Sequence, residues 1–476
     1  MSDQISNKDL ISKFKDYADI ADASYAMLHW VNENEDDGWF DKFKERKPAR
    51  WKFKDNIKFG DTLQFDIKDK DGNVLRREGE PTAYALAIEA RFNQDMVIEK
   101  PEDESNNGKI DEKPEKAMEA LISSGVRKSD ITTSDNIKII ENSIKNGMYV
   151  VSDDYSIACK LQDIKGVVDA TGNPPFGAIL AMEAIENRKH TIMLNVECDA
   201  VIGPYLFNLA KKKNVIYTGS AGDEPGAIME LADFALGAGF KLLAVGKGKN
   251  NPLNHYITED EVREEAISKG LYPKMLAGFI DGTNTMIELT SAANALGFVP
   301  DVIGCHGPNT TPAELAKIFS LKEQGGILNN YKTVDFAFGV APGVYAIVTS
   351  DSDEVHDLMK YLKMGDGPNY AIYRPYHLTS LETPITIYNA IVEKESTIVP
   401  ACGQVSDTVT VAKKDLKAGE ILEGIGGKSV FGTITSHADQ KNRNLLPIAM
   451  ITKKTKLKVD VKKDELITLD MVELDE

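Results

Sequence analysis

The chain of 476 residues has 42% hydrophobic residues and a formal net charge of −18 at pH 7. Its length allows roughly two to four domains, and its apolar content is enough for more than one buried core. The charge is spread along the chain without a basic stripe that could neutralise phosphates, which argues against nucleic acid as a partner. No apolar run approaches the ~20 residues that cross a bilayer, and residues 1–10 are polar. We therefore expect a cytoplasmic protein without a membrane partner.

Residues 1–98 are predicted to form a separate α+β module. Residues 9–30 have the apolar spacing of a helix, and the alternation over residues 63–67 leads into Asp71-Gly72, which predicts a hairpin. The phrases ADASYAMLHW and PTAYALAIEARF resemble the leading region of some bacterial lipase-like proteins. The nucleophile elbow G-x-S-x-G that such an enzyme needs is missing, so we assign this module no catalysis.

A polar stretch separates this module from the rest of the chain. Residues 99–113 (EKPEDESNNGKIDEK) have almost no apolar side chain and contain the Pro, Gly and Asn typical of a linker or long loop. Beyond it we expect a nucleotide domain in residues 114–225, a substrate and oligomerisation domain in residues 226–400, and a β-rich tail in residues 401–476.

Three short apolar runs after the linker predict a parallel sheet. They are residues 166–170 (GVVDA), 191–196 (TIMLNV) and 215–219 (VIYTG), separated by helical stretches long enough for crossovers. This pattern indicates an α/β fold with a Rossmann-like sheet covered on both faces. Ligands of such sheets gather at the carboxyl ends of the strands. The predicted cofactor contacts are therefore Ala170, Thr171, Gly172, Asn195, Glu197 and Gly219.

Two lysines follow the apolar run KLLAVG, which ends at Gly246. Hydride transfer to a carbonyl needs a positive group or proton donor at the developing alkoxide, and Lys247 and Lys249 suit that role. Asn250 and Asn251 add neutral donors for a substrate beside them. The alternative is that both lysines are only solvated in a Gly-rich turn.

Asp223 and Glu224 are the predicted acidic partners of these lysines. They could hold substrate hydroxyls or relay a proton; alternatively, they favour the positive end of a helix that starts near Gly226. With His306 they could also meet in space as metal ligands, but their spacing is not diagnostic, so a metal stays undecided.

Other polar residues are predicted to contact the substrate or to be structural. Arg374 and His377 lie in an aromatic and hydroxyl-rich run that could bind an anion. His306 is a candidate acid or base, or an ordinary polar contact. A cluster within one predicted helix over residues 273–297 supplies the last candidates, Asp281, Thr283 and Asn284.

Residues 115–435 resemble oxidoreductases that have a homoserine-dehydrogenase-like nucleotide domain and a SAF-like tail, including the deoxyxylulose-phosphate reductoisomerase-like proteins. The resemblance rests on motifs such as VVDATGNPPFGA, YTGSAGDEPGAIMEL, GKGKNNPLN, DGTNTMIE and YRPYHLTSLETP. It implies a homo-oligomer that uses NADP or NAD to oxidise or reduce a small hydroxy, carbonyl or phosphorylated polyol compound.

No G-x-G-x-x-G phosphate loop precedes these motifs. We therefore expect an incomplete Rossmann-like sheet whose first βαβ unit is missing, and an incomplete cofactor site. The alternatives are an oligomeric small-molecule-binding protein without catalysis, or a fusion of unrelated segments without activity. The four cysteines lack zinc-site spacing, which favours buried free thiols over catalysis or a disulfide: Cys159, Cys198, Cys305 and Cys402.

Overall fold

A computed structural model describes residues 67–68, 74–76, 114–269 and 271–474. The chain divides into two compact units, Met1–Asp153 and Asp154–Glu476. In the first unit, β1 (Ile67–Lys68) pairs antiparallel with β2 (Val74–Arg76), which confirms the predicted hairpin. The turn of this hairpin, the helix predicted over residues 9–30 and the predicted linker all lie outside the described residues.

The first unit also contains a βαβ element that the sequence analysis had not identified. After α1 (Pro114–Ser123), β3 (Ile131–Thr133) runs parallel to β4 (Tyr149–Val151), and α2 (Ile137–Lys145) connects them. Each strand has only three residues, which is too short for the periodicity of a strand to be recognised.

The second unit begins with α3 (Tyr155–Lys160) and the predicted parallel sheet. Strands β5 (Gly166–Asp169), β6 (His190–Met193) and β7 (Tyr217–Gly219) lie side by side in that order, and all pairings are parallel. The crossovers are α4 (Pro174–Glu186) and α5 (Val196–Lys213). Strand β6 ends earlier than the apolar run because Asn195 caps α5 by accepting the amide of Cys198. The α/β fold class with a parallel sheet is confirmed.

A second, mixed sheet follows α6 (Glu224–Gly237). Its strands are β8 (Lys241–Gly248), β9 (Val299–Pro300), β10 (Thr333–Ala337), β11 (Val344–Thr349) and β12 (Tyr370–Arg374). They lie in the order β12, β11, β8, β10, β9, with β8 in the middle. Strands β8 and β10 are parallel to each other, whereas β11 is antiparallel to both β8 and β12. The helices are α7 (Arg263–Ser268), α8 (Pro273–Asp281), α9 (Thr283–Leu296), α10 (Leu315–Ile318), α11 (Asp353–Tyr361) and α12 (Thr383–Tyr388).

The prediction of a single helix over residues 273–297 is wrong. Two helices, α8 and α9, meet at Gly282, whose φ of 91° lies in the left-handed region. A residue without a Cβ adopts this conformation at little cost, so the chain changes direction there. The break places Asp281 at the end of one helix and Thr283 at the start of the next.

The tail is β-rich, as predicted. Strands β13 (Ser406–Ala412) and β14 (Val430–Ser436) form a long antiparallel ribbon followed by α13 (His437–Asn442). A short pair, β15 (Lys456–Leu457) and β16 (Val472–Glu473), closes the chain. Side chains from the ribbon and the short pair share an apolar core with residues of α5 and α9.

All four cysteines are free, but their burial was only partly predicted. Cys159 and Cys198 are buried, Cys305 is half-buried and Cys402 is exposed. The prediction of burial is wrong for Cys402 because it follows the last buried position before the tail, where the chain turns at the surface. Among the residues that the structure describes, no helix has the length and hydropathy needed to cross a membrane.

Candidate functional site

Lys247 lies near the end of the central strand of the mixed sheet and is 5% exposed. Its Nζ donates a hydrogen bond of 2.6 Å to Glu224 at the start of α6, and another to Glu288 on α9. Val245, two residues earlier and on the same face of β8, packs in the apolar core with both helices. The lysine is therefore placed where that apolar face of β8 ends.

One lysine faces two glutamates, which sets their protonation states. Burial would lower the pKa of Lys247, but Glu224 and Glu288 raise it above its usual value. Burial would raise the pKa of Glu224, but the Lys247 and His377 charges lower it to about 2. Burial and the Glu224 charge raise the pKa of Glu288 to about 8. At neutral pH, Lys247 and Glu224 therefore form an ion pair, and Glu288 keeps its proton.

Asp223 belongs to the same group of charges. It occupies the position that precedes α6, yet its side chain forms no capping hydrogen bond. Burial, together with the charges of Glu224 and Glu288, raises the pKa of Asp223 well above its ordinary value. This carboxyl group therefore keeps its proton at a pH where an exposed aspartate has lost it.

Lys249 lies two residues beyond Lys247 and is 4% exposed. Its Nζ donates a hydrogen bond of 2.6 Å to the carbonyl oxygen of Phe279 on α8. Burial and the neighbouring Lys247 charge lower the pKa of Lys249 to about 8. The structure thus gives the two predicted lysines different properties: one is a fixed cation, and the other can exchange a proton near neutral pH.

Glu288 is a member of this site that the sequence analysis missed. It lies four residues after Asn284, which places both side chains on the same face of α9. Asn284 Nδ2 donates a hydrogen bond of 3.4 Å to Glu197 at the start of α5. Burial raises the pKa of Glu197 to about 7. The helical spacing from Asn284 was the signal that could have identified Glu288.

His377 also reaches the acidic group. Its Nδ1 lies 3.0 Å from the carbonyl oxygen of Gly222, and its Nε2 lies 3.4 Å from Glu224 Oε1. A carbonyl oxygen only accepts hydrogen bonds, so Nδ1 carries a proton and Nε2 faces the carboxylate.

Arg374 is held by two carboxylates. One arm of its guanidinium donates a hydrogen bond of 2.6 Å to Glu230, and the other donates one of 2.5 Å to Glu382. The guanidinium also lies 4.7 Å from the centre of the Tyr376 ring. These contacts tie β12 to α6 and to the loop that carries His377.

Asp281 and Thr283 contact the tail. Asp281 Oδ2 is 2.8 Å from the ammonium group of Lys413, and both side chains are almost completely buried. Thr283 Oγ1 accepts the backbone amide of Gly432 at 2.8 Å. The two residues therefore join the break between α8 and α9 to the β-rich ribbon.

His306 has a separate set of partners. Its Nε2 is 2.8 Å from Asp301 Oδ2, and its backbone amide donates to Asp335 on β10. The hydrogen bonds and ion pairs of His306 do not include Asp223 or Glu224. Within the described ranges, no three His, Cys, Asp or Glu side chains are arranged to hold a metal ion.

The predicted cofactor contacts lie at the carboxyl ends of β5, β6 and β7. Ala170 and Gly172 are exposed in the turn after β5, and Gly172 has a φ of 59°. The amide of Asn195 is fully engaged: Nδ2 donates at 3.0 Å to Asp169 and to the backbone of the same turn, and Oδ1 accepts from α5. The backbone amide of Gly219 donates a hydrogen bond of 2.9 Å to the carbonyl oxygen of Ile398. Asn195 therefore stabilises the turn after β5 through its side-chain amide.

Residues 222–383 match the family described as oxidoreductase DRL, catalytic domain. The matched range contains both lysines, Asp223, Glu224 and Glu288. This part of the chain is therefore similar to an oxidoreductase catalytic domain, in agreement with the oxidoreductase resemblance predicted for these residues. The homoserine-dehydrogenase-like and SAF-like features, and the contacts assigned to substrate and cofactor, stay predictions.

Other comparisons give weaker similarities. No curated protein matches the chain. A probable dehydrogenase from Thermotoga maritima is 12% identical with a TM-score of 0.30, covering 58% of this chain and 83% of its own. An oxidoreductase from Bacillus cereus is 14% identical, with a TM-score of 0.26 and coverages of 56% and 81%. A DOX-P reductoisomerase in complex with NADPH, fosmidomycin and magnesium is 14% identical, with a TM-score of 0.32 and coverages of 59% and 61%.

Proposed function

We propose that the protein is an NADP- or NAD-dependent oxidoreductase that acts on a small hydroxy or carbonyl compound or a phosphorylated polyol. The observation that carries this proposal is the buried pair of Lys247 and Lys249 at the end of β8, inside the range that matches an oxidoreductase catalytic domain. One lysine is paired with carboxylates, and the other has a carbonyl oxygen as its hydrogen-bond partner.

Reduction of a carbonyl group needs a hydride at carbon and a proton at oxygen. A bound reduced nicotinamide would supply the hydride. Lys249 is suited to give the proton, because a group with a pKa of about 8 is protonated at neutral pH and still releases its proton readily. Lys247 stays charged and stabilises the negative charge that develops on the oxygen.

The carboxyl groups complete this arrangement. Glu224 neutralises Lys247 and fixes its position, so that the ammonium needs no reorganisation during the reaction. Glu288 holds an extra proton beside Lys247, and burial and the Glu224 charge raise its pKa to about 8. A protonated Glu288 is therefore a neutral hydrogen-bond partner of Lys247 and does not cancel its charge. Asn250, which is exposed, and Asn251, which is half-buried, come directly after the lysines and would hold substrate oxygens.

The turn after β5 fits the nicotinamide end of a cofactor. It is exposed, it follows a parallel strand directly, and Gly172 adopts a left-handed conformation that leaves its backbone accessible. Ala170, Thr171 and Gly172 would hold the cofactor there, together with Gly219. Asn195 supports the turn through its amide.

The proposal is tested with Lys249→Met and a matched control, Lys269→Met. Lys269 is an exposed lysine that pairs with Glu265 on the surface of α7 at 2.6 Å. Wild type and the control are expected to bind NADPH or NADH, which is measured by nicotinamide fluorescence. They are also expected to oxidise the bound cofactor when a small hydroxy-ketone or its phosphate ester is supplied as substrate, and a panel of such compounds is tried. Lys249→Met should bind the cofactor normally and have a kcat about 100-fold lower, the usual contribution of a general acid.

Two outcomes would contradict the proposal. If wild type binds neither cofactor at millimolar concentration, the chain is better explained as a small-molecule-binding protein without catalysis. If Lys249→Met turns over as fast as the control, the proton comes from another group.

A further inference from the structure

Residues 250–260, the segment that follows the two lysines, contact the tail at several points. Tyr256 donates a hydrogen bond of 2.9 Å to Asp464, and Lys428 pairs with Asp260 at 2.6 Å. The ring of His255 stacks on a tail phenylalanine with centroids 4.4 Å apart. This segment, residues 250–260, has several independent attachments to residues beyond position 401.

Lys413 provides the most deeply buried of these attachments. Its side chain is 2% exposed, and it forms an ion pair of 2.8 Å with Asp281, which is 0% exposed. The same ammonium group donates at 2.7 Å to the carbonyl oxygen of Ile257 and at 2.8 Å to that of Gly427. Two of the ammonium protons therefore have carbonyl acceptors, and the positive charge is paired with the Asp281 carboxylate.

Lys413 contacts two parts of the chain that neighbour Lys249. The carbonyl oxygen that accepts from Lys249 belongs to Phe279 on α8, and this helix ends at Asp281. Ile257 lies in the segment that leaves Lys249 in the other direction. The backbone of that segment is also bonded to α8, since the amide of Asn254 donates to Ile280 at 3.0 Å. Lys413 thus holds both the helix that anchors Lys249 and the segment that follows it.

The ion pair of Lys413 and Asp281 also influences the pKa of Lys249. Burial and Lys247 lower the pKa of Lys249, whereas the charges of Glu288 and Asp281 act to raise it. Burial raises the pKa of Asp281 in turn, and Lys413 offsets part of that effect. The protonation of Lys249 therefore depends on a carboxylate whose only ion-pair partner among the described residues is in the tail.

We propose that Lys413 is a positioning residue for the lysine site, so that the tail is part of the catalytic unit and not a separable domain. The tail residue fixes the position of Lys249 and maintains the Asp281 charge beside it. The effect on turnover rests on the proposed function, but the effect on Lys249 itself does not.

The test compares Lys413→Met/Asp281→Asn with Lys417→Met in the full chain. The double variant removes both buried charges at similar volume, so it leaves no unpaired ion and should fold, whereas Lys413→Met alone would leave a buried carboxylate without a partner. Lys417 is a tail lysine whose ion pair with Asp460, at 2.7 Å, is exposed.

The measured quantity is the rate of Lys249 acetylation by acetic anhydride at a series of pH values, followed by mass spectrometry of its peptide. In the double variant the pH midpoint is expected to fall by about half a pH unit or more, because Lys249 loses a neighbouring carboxylate. The labelling rate on the plateau should rise at least about twofold as the segment loosens. Lys417→Met should match wild type in both respects.

A folded double variant whose Lys249 has the wild-type plateau labelling rate would overturn the proposal, even if the midpoint shifted or turnover were lost, since Lys413 would then be only structural. A raised plateau labelling rate in a protein that does not oxidise NADPH would support the positioning role and contradict the proposed function. Folding is checked by circular dichroism in every variant.

Discussion

Replacing Glu288 by Gln should make stability respond differently to pH. In the folded protein, burial and the Glu224 charge raise the pKa of Glu288 from 4.5 to about 8. A group with a raised pKa contributes stability that is fully present below the pKa of the unfolded chain and is lost as pH rises through the folded pKa. Wild type should therefore lose stability between pH 5 and pH 8, and Glu288→Gln should lose less because glutamine carries no proton to release.

The size of the effect follows from the width of this pH window. One pH unit corresponds to about 1.4 kcal/mol, so across about three units the unfolding free energy of wild type should fall by up to about 4 kcal/mol relative to the variant. Residual contacts in the unfolded chain and relaxation around the site reduce this figure, and a difference of about 2 kcal/mol is already sufficient to test the sign.

The assay is urea unfolding followed by circular dichroism at pH 5, pH 6.5 and pH 8. The control is Glu265→Gln, which alters an exposed glutamate on α7 that pairs with Lys269. The control should follow wild type at each pH. If Glu288→Gln also runs parallel to wild type, Glu288 is ionised throughout this range, and the inferred extra proton at Lys247 is absent.

Three further substitutions test the framework of the site, each by urea unfolding. Gly222→Ala should cost about 1–3 kcal/mol, because Gly222 has a φ of 77° and an added Cβ would lie 2.5 Å from a carbonyl oxygen of the His377 loop; wild-type stability would contradict this packing. Arg374→Met should lower the free energy of unfolding by about 3 kcal/mol, because the buried Glu382 is left without its cation. An unchanged urea midpoint would show that Arg374 and Glu382 are not in contact in solution. Asn195→Ala should cost about 1–3 kcal/mol, since Asp169 loses a buried donor and α5 its cap; a neutral effect would mean that water replaces the amide.

The strands of the parallel sheet could be predicted because each is a short apolar run bounded by a turn and a helix. The strands β3 and β4 could not, since three residues carry no usable period. The break at Gly282 was also hidden, because a single glycine within a helical pattern is compatible with an unbroken helix. Only the three-dimensional structure shows that this glycine has a positive φ.

The cluster of lysines and carboxyl groups was predicted in part. Lys247 and Glu224 could be chosen because one lies near the end of an apolar strand and the other follows one, and ligands of such sheets gather at the carboxyl ends of the strands. Glu288 was detectable from its spacing to Asn284, although its sequence neighbours are apolar. Lys413 could not be found, because its partner Asp281 is distant in sequence and the contact depends on how the tail packs.

The most direct test of the account is the pH dependence of kcat for NADPH- or NADH-dependent carbonyl reduction. Lys249 must be protonated to give its proton, and burial and Lys247 lower its pKa to about 8. We therefore predict a constant kcat up to about pH 7.5 and a fall of about tenfold per pH unit well above pH 8, a fall that is missing from the residual activity of Lys249→Met. A wild-type kcat that stays constant to about pH 10, or a fall that Lys249→Met retains, would contradict the assignment of Lys249 as the proton donor.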